Sequence, residues 1–78
     1  MTKEQLAAEA QRIKENEALQ YALSYMRQDA LERLVLAPAT DAEAIRDHQA
    51  RVRVVDDFLA RIEAIIRNGQ PRKQAGIV

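Results

Sequence analysis

Ile45-Arg46-Asp47-His48-Gln49-Ala50-Arg51-Val52-Arg53-Val54-Val55-Asp56-Asp57-Phe58-Leu59-Ala60-Arg61-Ile62-Glu63-Ala64-Ile65-Ile66 is the stretch that decides the fold. Within it Ile45, His48, Val52, Val55, Leu59, Ile62 and Ile66 follow one another at alternating steps of three and four. That is an unbroken heptad seam, the pattern of a long helix laying one apolar stripe against a partner helix. Asp47 with Arg51, Asp57 with Arg61 and Glu63 with Arg67 set an acid one turn before a base, which marks solvated faces.

Both ends of this helix carry stop signals. Thr40-Asp41-Ala42-Glu43 reads as a capping box, the Thr40 hydroxyl accepting from the Glu43 N–H while the Glu43 side chain reaches back to the cap. Arg67 supplies a cation to the last turn, and Gly69 reads as a left-handed residue that ends the helix. The expected span is about residues 41 to 68. Pro38 breaks the chain just before it, so a preceding helix should end near Leu36 and return through Ala37-Pro38-Ala39.

That preceding segment changes face partway along. At about 100° per residue, Leu6, Ala10 and Ile13 share one face, whereas Leu19, Leu23, Met26, Ala30 and Leu34 share another, rotated by roughly 120°. The switch falls at Lys14-Glu15-Asn16-Glu17, where Asn16 suits an N-cap and Glu17 the first turn behind it. The expectation is a short helix over 3–15 and a second over 17–36, with one continuous helix as the alternative. Folding 17–36 back on the third helix sets Leu34 opposite Ile45, Ala30 opposite His48, Met26 opposite Val52, Leu23 opposite Val55 and Leu19 opposite Leu59. The fold class is therefore all-α: an antiparallel, coiled-coil-like helical hairpin over 1–69 with a short extra N-terminal helix, then an extended tail over 70–78.

The chain has 78 residues and no Cys, with twelve basic and twelve acidic side chains. So short a chain buries a thin core, and without disulfides it depends on oligomerisation or docking for reinforcement. No Cys means no thiol catalysis and no Cys-ligated zinc. No apolar run is long enough for a membrane span, and Met1 to Ala10 does not resemble a signal peptide. Residues 1–45 hold five basic and eight acidic side chains and the remainder seven and four, so the two arms of the hairpin should attract. A nucleic-acid site would instead need an uncompensated basic stripe.

No residues group for catalysis. Ser24 and His48 are the only residues of their kinds and fall on opposite arms, with no acid to orient the imidazole. His48 reads as a partly buried polar residue that fixes register. Asp56 and Asp57 are adjacent, so they point about 100° apart and cannot share a proton or a metal. No catalytic, metal-binding or cofactor-binding residue is assigned.

Surfaces are more informative. Tyr21 and Tyr25, with Gln28 and Glu32, lie away from the seam and read either as aromatic anchors with a polar rim or as two amphipathic tyrosines that cover the flank of the hairpin. Phe58 and Ile65 flank the heptad seam and widen the apolar stripe, and Ile62, Ile65 and Ile66 extend beyond the reach of the second helix. Leu6 and Ile13 of the first helix could cover them, or a second copy or another protein. The tail is polar and basic until Ile77 and Val78, which read as an apolar end that docks on another chain. Candidate partner-binding residues are thus Tyr21, Tyr25, Phe58, Ile62, Ile65, Ile66, Ile77 and Val78.

Asn16-Glu17-Ala18-Leu19-Gln20-Tyr21-Ala22-Leu23 with Arg27, Thr40-Asp41-Ala42-Glu43-Ala44-Ile45-Arg46, Val55-Asp56-Asp57-Phe58-Leu59 and Ile65-Ile66-Arg67-Asn68-Gly69 together resemble small tailed-phage proteins encoded among head-assembly genes. The resemblance spans roughly residues 13 to 69. It departs at Glu17, where that family often has Pro, and in lacking a tryptophan late in the second helix. It implies a non-enzymatic bacteriophage virion or head-assembly component, found in the virion or in the host bacterial cytoplasm during assembly. Its partners would be capsid, portal or neighbouring subunits, or further copies of itself. Two other readings stay open. One is a Rop-like hairpin dimer that binds nucleic acid through Arg46, Arg53 and Arg61, and the other a small helical inhibitor or regulator of another protein.

Overall fold

The computed structural model describes residues 1–70, and all its regular structure there is helical: α1 (Lys3–Glu15), α2 (Glu17–Leu36) and α3 (Ala42–Gly69). The expected docking tail with Ile77 and Val78 lies outside the described residues. α1 begins with a capping box of its own. The Thr2 hydroxyl accepts from the Gln5 N–H at 3.1 Å, and the Gln5 side chain accepts from the Thr2 N–H at 2.8 Å.

Asn16 is the break between α1 and α2, as the change of face requires. Its backbone is extended (φ −76°, ψ 105°), and its side-chain oxygen accepts from the Leu19 N–H at 3.0 Å to start α2. The Asn16 N–H meanwhile donates to the Ile13 carbonyl at 3.1 Å, closing α1. A single residue thus ends one helix, starts the next and turns the chain between them. This rotation lets the Ala10 face of α1 and the Ala30 face of α2 both meet α3.

α2 ends as Ala37 turns extended ahead of Pro38, whose ring disfavours helical backbone in the residue before it. The Asp41 N–H donates to the Pro38 carbonyl at 2.9 Å, and the Asp41 side chain accepts from the Ala44 N–H at 3.1 Å. The cap is therefore Asp41, and the expected Thr40–Glu43 capping box does not form. The tight Pro38–Asp41 turn places Thr40 inside the turn, one residue too early to cap. The expected left-handed stop at Gly69 is also corrected. Gly69 stays within α3, and Gln70 is the extended cap, its N–H donating to the Arg67 carbonyl at 3.3 Å.

α1 and α2 lie end to end along α3 and antiparallel to it. Lys14 reaches Glu63 at 2.8 Å, Arg27 reaches Asp56 at 2.8 Å, and Lys3 and Ala7 adjoin Gly69. The α2–α3 register agrees with the expected pairing to within one turn. The two ion pairs that cross between helices put the cation on the first half of the chain and the anion on the second. This is opposite to the charge surplus of each half.

The core has two parts. Ala10, Ile62 and Ile66 are buried together, with Ile13 and Ile65 packed against them. Ala30 and Val55 close the α2–α3 interface. Fully burying an isoleucine stabilises by about 1.5–3 kcal/mol, so α1 gains most of its hold on the hairpin by covering Ile62 and Ile66.

Candidate protein-binding surface

Folding decides which sequence-selected residues can meet a partner. Tyr21 and Tyr25 are exposed, Phe58 is just exposed and Ile65 is half-buried. Ile62 and Ile66, partner-binding candidates by sequence, lie beneath α1 in the chain's own core. The apolar overhang beyond α2 is filled from within by Ala10 and Ile13 of α1, whereas Leu6, the other local candidate, stays exposed.

The two flanks of the hairpin differ sharply. One is tied by Lys14–Glu63 and Arg27–Asp56. Arg27 donates from Nε to one Asp56 oxygen at 2.8 Å and from an η nitrogen to the other at 3.4 Å. That hydrogen bond, and then the carboxylate charge, raise the Arg27 pKa above its usual value. Both groups are solvated, so such a pair orients the helices more than it holds them together.

Among the described residues the opposite flank has no ion pair between helices and is largely apolar, its Asp29 being held by Arg33 of the same helix at 2.9 Å. Met26, Asp29, Ala50, Arg51 and Val54 line a groove between α2 and α3. Phe58 follows Val54 by one turn and Ile65 follows by two more, so the strip continues down α3. There Leu6 and Ile65, with Lys3 and Asn68, line a smaller depression at the α1 end. Met26, expected opposite Val52 in the seam, instead sits half-exposed on this flank. The sequence reading does not single out Val54, although it lies one turn before Phe58 on the same side of α3.

A third surface is the outer face of α2. Tyr21, Tyr25, Gln28, Glu32 and Val35 repeat at steps of four and three, and Gln28 donates to Glu32 at 3.3 Å. Val35 and Leu36 extend it as exposed aliphatics beside Leu31. The consecutive run Leu34-Val35-Leu36 was the signal for them, because three adjacent apolar residues cannot all face one partner helix.

Chemistry has little to work with among the described residues. No three His, Cys, Asp or Glu side chains converge. Asp56 turns to Arg27 and Asp57 to Arg61 at 3.4 Å, so the adjacent carboxylates diverge. Arg61, one of three arginines considered for phosphate contacts, is thus engaged by an acid of its own helix. No described helix is long and apolar enough to cross a membrane. The site so defined is a helical hairpin with one flank tied by ion pairs between helices and one uncovered, largely apolar flank. No protein-family model, curated protein or solved structure matches the chain.

Proposed function

We propose that this chain is a protein-interaction module that performs no reaction of its own, acting in the head assembly of a tailed bacteriophage. The observation that carries the first half is the bare flank of Met26, Val54 and Phe58, extended by Leu6 and Ile65. A contiguous apolar strip rimmed by charges, on a chain with so small a core, has the composition of a protein-binding face. The setting is supported by the quoted resemblance of residues 13 to 69 to proteins of head-assembly gene clusters. In that setting the partners are head subunits or further copies of the chain, in the virion or in the host cytoplasm during assembly.

The test is the protein content of heads and virions purified from cells that express the gene with its genomic neighbours. The chain should be present in fixed ratio to the shell subunit, and a Val54→Asp, Phe58→Asp chain should be made but left out. Absence of the unaltered chain from particles and from assembly intermediates overturns the proposal.

A further inference from the structure

We propose that the occupant of the apolar flank is a second copy of this chain. The two hairpins meet about a two-fold axis parallel to their length, with α3 of each copy against α2 of the other. The inference deepens the interaction-module reading and rests on it. It stands on three observations: the area left bare, the order of charges along it and the size of the residues that would face each other.

Leu6 is 44% exposed, Met26 53%, Val54 64% and Phe58 38%. For side chains of these sizes that is roughly 400 Å² of apolar surface per copy, against the ~800 Å² per partner of a standard interface, of which the buried centre is about two-thirds apolar. The strip therefore supplies most of the apolar centre of an ordinary dimer, with Arg51, Asp29 and their neighbours as its rim.

In the proposed arrangement α2 of one copy runs antiparallel to α3 of the other, as it already does to its own α3. Keeping the same register sets Met26 against Val54, Asp29 beside Arg51, Arg33 beside Asp47 and Ala22 under Phe58. Arg51 and Asp47 of one copy thus fall beside the Asp29–Arg33 ion pair of the other, opposite charge to opposite charge, at one end, and a small residue faces the largest one at the other. A two-fold axis repeats each of these contacts, so a strip that matches itself once matches itself twice. Zero formal net charge leaves no long-range repulsion between copies. The product is a four-helix bundle in which every neighbouring pair of helices is antiparallel, a geometry that buries apolar stripes well.

The test begins with sedimentation equilibrium of the full chain from 1 to 100 µM. The expected mass is twice that of one chain. A Met26→Asp, Val54→Asp double variant should sediment as a monomer, its dimer dissociation constant raised at least a hundredfold. It should stay as helical by circular dichroism as the parent, because both side chains are already exposed. The chain contains no Cys, so disulfides can report the arrangement. A Met26→Cys chain mixed with a Val54→Cys chain should form the mixed disulfide in preference to either symmetric one. An unaltered chain that is monomeric at 100 µM overturns the proposal, as does a Val54→Cys chain that links only to itself. A monomeric chain that still enters phage heads would remove the dimer and leave the interaction reading intact. A dimer absent from heads would do the reverse.

Discussion

Gly69 of α3 lies against the Ala7 side chain and the Lys3 carbonyl of α1, so close that a methyl group added at Gly69 would overlap the Ala7 Cβ and stand 2.5 Å from the Lys3 oxygen. The missing side chain is what lets the first two turns of α1 lie down on the end of α3. Gly69 was expected to act through a left-handed backbone, and it acts instead through its lack of volume.

Gly69→Ala is therefore expected to destabilise the chain. Alanine within a helix ordinarily gains about 0.5–1 kcal/mol over glycine. Forcing a methyl into a filled contact costs about 1–3 kcal/mol, and here the Lys3 main chain, not a flexible side-chain end, resists it. The net loss should appear as a lower midpoint in urea. Gly69→Asn separates this account from a helix-end role, because asparagine suits a left-handed terminus yet is bulkier still. It should be worse than alanine, and a variant at or above the parent's stability would refute the close-contact explanation.

Asn16→Ala removes the side chain that accepts from the Leu19 N–H, a loss of about 1 kcal/mol at an N-cap. It also removes the reason for the break. If α1 and α2 merged into one helix, the Leu6, Ala10 and Ile13 face would rotate by roughly 120° away from α3 and uncover Ile62 and Ile66. The variant should thus bind more of a hydrophobic dye than the parent, while its far-ultraviolet circular dichroism stays the same or deepens. Unchanged dye binding together with unchanged stability would mean that Asn16 does not set the path of α1.

The legible parts of the structure are those that depend on neighbours in the chain. The seam from Ile45 to Ile66, the change of face near Asn16 and the break at Pro38 are all periodic or local signals, and the three helices follow from them. Choices between adjacent residues were not legible: Thr40 and Asp41 are both good caps, and only the Pro38–Asp41 turn selects the second. Contacts between distant segments were least so. Nothing local to Gly69 states that Lys3 and Ala7 will lie on it, and Met26 fits the seam or its edge equally well until the register is known. Within the candidate surface the sequence does not separate inward from outward residues: Ile62 and Ile66 turn into the core while Val54 turns out.

The α3 cap offers a direct comparison of two neighbours. Asp41→Ala should lower stability by about 1 kcal/mol, because the Ala44 N–H loses its acceptor and the helix start loses a negative charge. Thr40→Ala should be nearly silent, since Thr40 is exposed in the turn and does not cap. Urea midpoints for the two variants decide between them, and the opposite order would restore the Thr40–Glu43 box.

His48 occupies a seam position, and its Nδ1 atom is enclosed with no hydrogen-bond partner. The fully buried Ala30 on the α2 side of the interface leaves room for a ring there. An enclosed polar atom without a partner carries a desolvation penalty of about 1–3 kcal/mol. His48→Leu, close in volume and lacking that atom, should therefore raise the urea midpoint by the equivalent of about 1 kcal/mol. Stability alone does not test whether the imidazole also fixes how the helices align. A uniform leucine seam removes the one polar residue that penalises sliding by a turn, and buried polar residues at heptad positions are known to set register at a cost in stability. If His48 has that role, the stabilised variant should show doubled backbone amide signals for α2 and α3 by nuclear magnetic resonance, where the parent shows one set. A single set of signals in a more stable leucine variant would mean that side-chain size and the Pro38 turn specify the register unaided.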